Sequence, residues 1–268
     1  MEVRIRECGA CGFLYSDPRM DEEDIQVKYE TLTKLGYDKQ RHSSSPAKKR
    51  SERQQRVLEL FSGLRNPQDK PQRVLDYGGA EGHLLVPFIE QGQEGYLLDF
   101  IQYPQSDPRI QYLGKDLSAL AEGQQFDLIL LLHTLEHVVD PVGLIRDLKQ
   151  HLAPDGLLYI EVPLGAWLEW EFLREPVTHL NFFSEQSLFQ AVKEAGLDVE
   201  LLQSNWQWVT HSQEACINIV GKNGKVASEP TYRTTRQQRQ SFHALQGALK
   251  ANARYYGKQM VKSALGLA

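Results

Sequence analysis

Cysteine is scarce in this chain: three residues in 268, at positions 8, 11 and 216. That is too few for a disulfide framework, and the odd count fits a reducing compartment. Long apolar runs are missing too, since the longest, Leu128 to Leu132, falls far short of the ~20 residues that span a bilayer. The opening Met1-Glu2-Val3-Arg4 is polar where a secretory signal is apolar. These absences predict a cytoplasmic protein with no integral membrane segment. No His-Glu-x-x-His pair occurs, which removes zinc-hydrolase chemistry of that kind. No repeat of fixed period occurs either.

What is present is an ordinary globular composition, 41% hydrophobic and 24% charged, enough for one large domain with appendages. The net charge of -5 is unevenly spread: from Lys225 onward there are eight Lys/Arg against Glu229 alone, a +7 tail on a -12 body. Such a tail either meets an anionic partner, such as phosphate, an acidic glycan or a membrane surface, or forms a solvated helical face on the acidic body. The acidic body makes nucleic acid a poor partner.

Along the chain, Cys8-Gly9-Ala10-Cys11-Gly12 reads as a turn, followed by an acidic helical pattern through Tyr29. The serine-rich stretch Ser43-Ser44-Ser45-Pro46 reads as a linker, opening into a helix whose Val57, Leu58, Phe61 and Leu64 recur at helical spacing. From Arg73 the pattern becomes strand, turn, helix, which predicts a parallel sheet covered by helices. Strands are expected at Arg73–Tyr77, Gly95–Leu98, Arg109–Leu113, Phe126–Leu132, Gly156–Val162, Asp198–Gln203 and Ala215–Val220. Helices are expected at Gly82–Gln91, Leu117–Glu122, Val142–Leu152 and Ser184–Ala195, the third opened by Asp140-Pro141 and the last capped by Ser184 and Gly196. The organisation is therefore a hairpin or lid module with its linker at 1–45, a main domain at 46–225 with an aromatic insertion at 164–183, and a basic helical tail at 226–268.

Chemistry concentrates at the ends of the first strands. Asp76-Tyr77-Gly78-Gly79-Ala80-Glu81-Gly82 joins the first strand to its helix, and glycines there let backbone approach a ligand. Asp76 inside the turn repels a dinucleotide pyrophosphate, which disfavours a nicotinamide-dependent oxidoreductase, but suits an ammonium group. Asp99 closes the second strand, where it can accept from both hydroxyls of a ribose. Asp116, with Leu117 and the apolar Phe100 nearby, is placed for an adenine. Each acid also has a plain alternative: Asp76 as a turn carboxylate, Asp99 as a solvated strand end, Asp116 as a helix cap.

Ammonium, ribose and adenine are the parts of S-adenosylmethionine. With Leu98-Asp99, Phe126-Asp127-Leu128-Ile129, Leu135-Glu136-His137-Val138 and Leu152-Ala153-Pro154-Asp155-Gly156 added, the chain resembles the class I S-adenosylmethionine-dependent methyltransferases from Val57 to Val220. The resemblance implies an α/β, Rossmann-like, doubly wound seven-stranded sheet with helices on both faces and an antiparallel last strand. It implies cofactor binding by Asp76, Gly78, Gly79, Gly82, Asp99, Phe100, Asp116 and Leu117. His133 then either touches the methionine end or only packs. Ala80 stands where many members carry the turn's middle glycine, and its methyl group fits if the backbone angle is negative.

Transfer to a hydroxyl or carbon needs a base, and histidine is the natural one near neutral pH. The segment Glu175-Pro176-Val177-Thr178-His179-Leu180-Asn181-Phe182-Phe183 resembles the part of sugar-modifying methyltransferases that carries such a histidine, which implies this role for His179. Otherwise His179 shapes its loop through a backbone hydrogen bond. His137 either joins the catalysis or orients the turn after the fourth strand. No Asn-Pro-Pro-Tyr motif follows that strand, which disfavours methylation of DNA-base amines. Cys8 and Cys11 with Asp17-Pro18-Arg19 resemble half of an N-terminal zinc module; two ligands are an incomplete zinc set, so the expectation is a metal-free hairpin unless a second chain pools its pair. The expected acceptor is a carbohydrate, a nucleotide-linked sugar or another small molecule, in some cases anionic. A homodimer and a catalytically silent S-adenosylmethionine-binding protein are the remaining alternatives.

Overall fold

Strand order follows from which segments are apolar on both faces and which on one. The computed structural model describes residues 4–34, 47–64, 72–164, 179–208, 213–224 and 231–232. These fall in one unit, Met1–Tyr232; the second, Arg233–Ala268, lies outside the described residues, as do the linker at 41–46 and positions 165–178 of the aromatic insertion. The basic tail expected from 226 is thus outside them except for residues 231–232.

The N-terminal part holds β1 (Arg4–Glu7), β2 (Leu14–Asp17), α1 (Glu22–Lys34) and α2 (Ala47–Leu64). Then come β3 (Arg73–Tyr77), α3 (Val86–Glu90), β4 (Glu94–Leu98), β5 (Gln111–Gly114), β6 (Phe126–Leu132), α4 (Pro141–Gln150) and β7 (Leu152–Pro163). The remainder is β8 (Asn181–Phe182), α5 (Glu185–Glu194), β9 (Asp198–Trp208), β10 (Gln213–Lys222) and β11 (Thr231–Tyr232). The main sheet runs β11-β9-β10-β7-β6-β3-β4-β5. The five strands β5, β4, β3, β6 and β7 are parallel, and β10 runs antiparallel to both β7 and β9. This is the expected seven-stranded sheet with its last strand reversed, extended at one edge by the two-residue β11. The crossover direction reverses between β3 and β6, and ligands of doubly wound sheets bind outside the strand ends at such a point.

The run Phe126-Asp127-Leu128-Ile129-Leu130-Leu131-Leu132 explains why β6 is central. Leu128, Leu130 and Leu132 meet Val57, Phe61 and Phe88 on one side of the sheet, while Ile129 and Leu131 meet Ile145, Leu148, Leu188 and Val192 on the other. The stripe expected on α2 does lie against this domain, with the Phe61 ring 5.8 Å from that of Tyr159 in an edge-on contact.

Caps appear where the sequence placed them. The Asp140 carboxylate accepts from the Gly143 N–H at 2.8 Å, and Ser184 and Ser187 form a reciprocal capping box on α5. Three helical expectations need correction. The Gly82–Gln91 segment opens as a 3-10 turn, His83–Leu85, before α3; the Leu117–Glu122 segment is only a 3-10 turn, Leu117–Ala119. Leu152 belongs to β7, not to the preceding helix: it sits opposite Phe126 and is buried, so the sheet claims an apolar residue that helical spacing assigned to α4.

A second, three-stranded sheet runs β1-β2-β8, all antiparallel. Its hairpin closes through the cysteine turn: the Cys8 N–H donates to the Phe13 carbonyl at 2.8 Å and the Gly12 N–H to the Cys8 carbonyl at 2.9 Å, with Gly12 left-handed at φ 67°. The hairpin is packed down by Phe13 on Phe183, ring centres 5.3 Å apart, and by the Ser184 hydroxyl donating to the Cys11 carbonyl at 2.8 Å. No helix among the described residues is long and apolar enough to cross a membrane.

Candidate active site

The turn after β3 is bent by three left-handed residues, Gly78 at φ 74°, Ala80 at 52° and Gly82 at 72°. The condition under which a methyl group fits at Ala80, a negative angle, is therefore not met. Its N–H donates to Asp99 Oδ2 at 2.8 Å, and keeping that bond holds an alanine in a conformation that strains its Cβ. Glycine is required beside it. A Cβ at Gly78 would overlap the Thr134 side chain, which shows how closely the end of β6 approaches, and one at Gly79 would overlap the Asp76 carboxylate.

Asp76 is the most unusual group here. Only 1% exposed, it leaves Oδ2 without a hydrogen-bond partner among the described residues. Burial raises its pKa from 3.8 to about 7, with Asp99 pushing further up and Arg53 pulling down. Asp99 caps β4 half-buried, its Oδ2 on the Ala80 N–H and its Oδ1 accepting from the Ile101 N–H at 2.9 Å. Phe100 is 39% exposed beside it, its ring 5.7 Å from that of Tyr29 on α1. Asp116 is exposed and caps the 3-10 turn, accepting from the Ser118 N–H at 2.9 Å, with Leu117 as the first residue of that turn.

On the other side of the switch point lie two charged clusters. The alternation of β7 puts Tyr159 and Glu161 on one face, and the turns of α2 put Arg53 and Arg56 above them. Glu161, fully buried, pairs with Arg53 at 3.1 Å, Arg56 at 3.2 Å and His133 Nε2 at 3.1 Å. Burial opposes its charge, yet Arg53 and His133 hold its pKa well below the usual carboxylate range. His133 is left-handed at φ 53°; burial lowers its pKa, but hydrogen bonds to Cys216, Glu136 and Glu161 prevail and raise it well above the ordinary value. His133, for which the sequence left open contact with the cofactor's methionine end or plain packing, sits in this ion cluster.

The second cluster joins both candidate catalytic histidines. A carboxylate oxygen of Glu136 and one ring nitrogen each of His137 and His179 all lie within 4.8 Å of one another. The two imidazoles meet edge-on with centres 4.7 Å apart. Glu136 is 2% exposed; burial raises its pKa, but the His133 hydrogen bond and the nearby His137, His133 and His179 bring it down to about 2. Its Oε2 has no hydrogen-bond partner among the described residues. A buried carboxylate behind two imidazoles suits a proton relay, with the carboxylate orienting the rings and stabilising a proton taken up by them, or a divalent cation held by the neutral rings.

Glu136, Glu161, Arg53, Arg56 and Thr134 were not singled out from sequence. The signal for Glu161 was there: one acid inside the apolar stretch Leu157–Val162. Glu136 precedes His137 directly in the stretch Leu135-Glu136-His137-Val138. Cys8 and Cys11 are half-exposed at the hairpin tip, whereas Cys216 is buried in β10 beside His133, with Sγ 3.9 Å from Nε2, and so does not complete their pair.

The donor chemistry fits S-adenosylmethionine: an orphaned buried carboxylate at Asp76 for an ammonium group, a second acid at the next strand end, and a glycine turn with no room for a side chain. Fold and site together define an S-adenosylmethionine-dependent methyltransferase. The chain belongs to the family described as the methyltransferase domain, whose profile matches residues 47–202. Among curated relatives, it is 29% identical over 177 residues to the ubiquinone biosynthesis O-methyltransferase of Ruegeria pomeroyi, covering 55% of this chain and 71% of that one. The protein of that name from Roseobacter denitrificans is 25% identical over 206 residues, 63% of this chain and 76% of its own. Among solved structures, the Burkholderia thailandensis 1,6-didemethyltoxoflavin-N1-methyltransferase with bound S-adenosylhomocysteine aligns at TM-score 0.57 and 16% identity over 83% of this chain and all of that one. The Synechocystis magnesium protoporphyrin IX methyltransferase aligns at 0.54 and 16% identity over 73% and 98%. These two share the fold.

Proposed function

We propose that the enzyme methylates a hydroxyl group of a carbohydrate or nucleotide-linked sugar, with His179 as general base. The cofactor supplies a methyl group activated on a sulfonium. Asp76 accepts from its ammonium group and Asp99 from its ribose hydroxyls, while Phe100, Asp116 and Leu117 flank the adenine; Gly78, Gly79 and Gly82 let the backbone close on it. Arg53, His133 and Arg56 keep Glu161 ionised.

His179 takes the acceptor's proton, and His137, backed by the buried negative charge of Glu136, stabilises the imidazolium that results. The observation that carries this reading is the Glu136–His137–His179 contact beside the cofactor turn. An in-line displacement needs little beyond alignment and a dry path, so one positioned base suffices for an oxygen nucleophile, or for an acidic carbon.

The sugar is favoured by the resemblance of the Cys8–Arg19 and Glu175–Phe183 segments to sugar-modifying enzymes. The relatives named for ubiquinone biosynthesis favour a second reading, a hydroxyl on a different small molecule. The test is release of S-adenosylhomocysteine from S-adenosylmethionine with UDP-glucose and catechol as probes of the two classes. Turnover with the nucleotide sugar that His179→Gln abolishes supports the first reading. Turnover with catechol alone moves the acceptor to the second, and turnover unaffected by His179→Gln overturns the base.

A further inference from the structure

One arginine of the N-terminal hairpin module reaches the end of the turn that carries His137. Arg19 donates from Nε to the Val139 carbonyl at 3.1 Å, and from Nη2 to the same carbonyl at 2.5 Å and to Asn181 Oδ1 at 2.6 Å. Asn181, 1% exposed, then donates from Nδ2 to the carbonyls of Leu135 at 3.0 Å and Val138 at 2.7 Å, on either side of Glu136 and His137. Leu180, the neighbour of His179, donates its N–H to the Glu136 carbonyl at 2.8 Å and accepts from the Ser16 N–H at 3.4 Å. The turn holding Glu136 and His137 and the strand following His179 are thus tied to each other through Asn181, and both to the hairpin through Arg19 and Ser16.

A guanidinium suits this junction. It presents several donors in one plane, enough to serve a carbonyl twice and an amide oxygen at once, whereas an ammonium is a point charge with no fixed fork. The acceptors it serves are the carbonyl of Val139, just past the turn, more distantly that of Val138 at 3.5 Å, and the side chain that binds two carbonyls of that turn. Losing the fork removes the donor on Asn181 Oδ1 and the bonds to the Val139 carbonyl, so the turn and β8 keep their Asn181 Nδ2 and Leu180 bonds but lose this anchor to the hairpin, and the 4.7 Å contact of the two imidazoles spans that boundary.

We propose that Arg19 is a positioning residue for methyl transfer: through it the hairpin holds His137 and His179 in contact. The hairpin is then scaffold for the base rather than only a lid or a metal module. This rests on the reading of His179 as base, and the experiment separates the two.

The test uses the full chain saturated with S-adenosylhomocysteine, labelled with 15N in its histidines, as wild type, Arg19→Lys and Arg19→Ala. In both variants the imidazole resonances of His137 and His179 move, that of His151 on the far side of the sheet end stays, and the Leu180 amide exchanges on the order of 10-fold faster or more. Exchange in β3 and β6 and affinity for S-adenosylhomocysteine stay at wild-type values. Arg19→Lys carries the test if Arg19→Ala does not fold. Unmoved resonances and unchanged Leu180 exchange overturn the proposal, as does uniformly faster exchange through β3 and β6, which marks Arg19 as a general stability residue. Wild-type turnover by His179→Gln instead sinks the base reading, and with it any role of Arg19 in catalysis, whatever the resonances do.

Discussion

The two halves of the crevice are built on opposite plans. On the β3–β4 side the binding groups are backbone and short acids within one stretch of chain: the glycine turn, Asp76 and Asp99 lie within 24 positions. On the β6–β8 side the groups come from afar. Glu161 is paired by arginines 108 and 105 residues away, and Asn181 holds a carbonyl 46 positions back. The first plan suits a ligand shared by a whole family, because a local motif carries it entire. The second suits a part that differs between enzymes, since each contact can change while the sheet stays put.

If that contrast is right, substitutions on the two sides separate chemistry from cofactor binding. The largest expected effect is on the distal side: His179→Gln lowers the rate of methyl release about 100- to 10,000-fold while S-adenosylhomocysteine affinity stays within about twofold, read by turnover and calorimetry. Next, Glu161→Ala leaves the half-buried Arg53 and Arg56 without their carboxylate and costs up to about 3 kcal/mol of stability in urea unfolding. On the local side, Asp76→Asn weakens S-adenosylhomocysteine binding about 10- to 100-fold at pH 8 by removing a charged acceptor, with the stability of the free protein unharmed.

A subtler effect follows from the pKa of about 7 at Asp76, raised by burial from 3.8. A raised acid is favoured in its neutral form, so the free protein loses stability as pH climbs from about 4 through 7, and Asp76→Asn removes that loss. Binding of an ammonium-bearing ligand needs the ionised form, so affinity rises as pH passes upward through about 7, and the rise vanishes in Asp76→Asn. The smallest effect is Ala80→Gly, which relieves the left-handed strain and stabilises the protein by up to about 1 kcal/mol, read as a higher melting temperature.

The contrast also governs what could be foreseen. β3 and β6 run over the residues expected from the sequence alone: β6 because Leu128–Leu132 is a continuous apolar run, β3 because Val74 and Leu75 lead straight into the glycine turn. The Ser184 cap was equally local. The Ala80 angle was not foreseen, because whether a turn is left-handed depends on the Asp99 carboxylate reaching back to its N–H. Leu152 was misassigned because an apolar residue at a helix end has the same spacing on either side of the boundary. The partnership of His179 with Glu136 was hidden for a deeper reason. Nothing in the spacing between them says that Leu180 bonds the Glu136 carbonyl, or that an N-terminal arginine clamps both. The histidines could be named as candidates, while the placement of Glu136 against both of them is set by the fold.

The central claim is that the acids ending β3 and β4 hold one S-adenosylmethionine between them. A crystal structure of the enzyme with S-adenosylhomocysteine tests it most directly. The account expects the Asp76 carboxylate within hydrogen-bond reach of the ligand's amino group and Asp99 within reach of its ribose hydroxyls. A ligand bound with Asp76 still unpartnered and Asp99 serving only the Ala80 and Ile101 amides would contradict it.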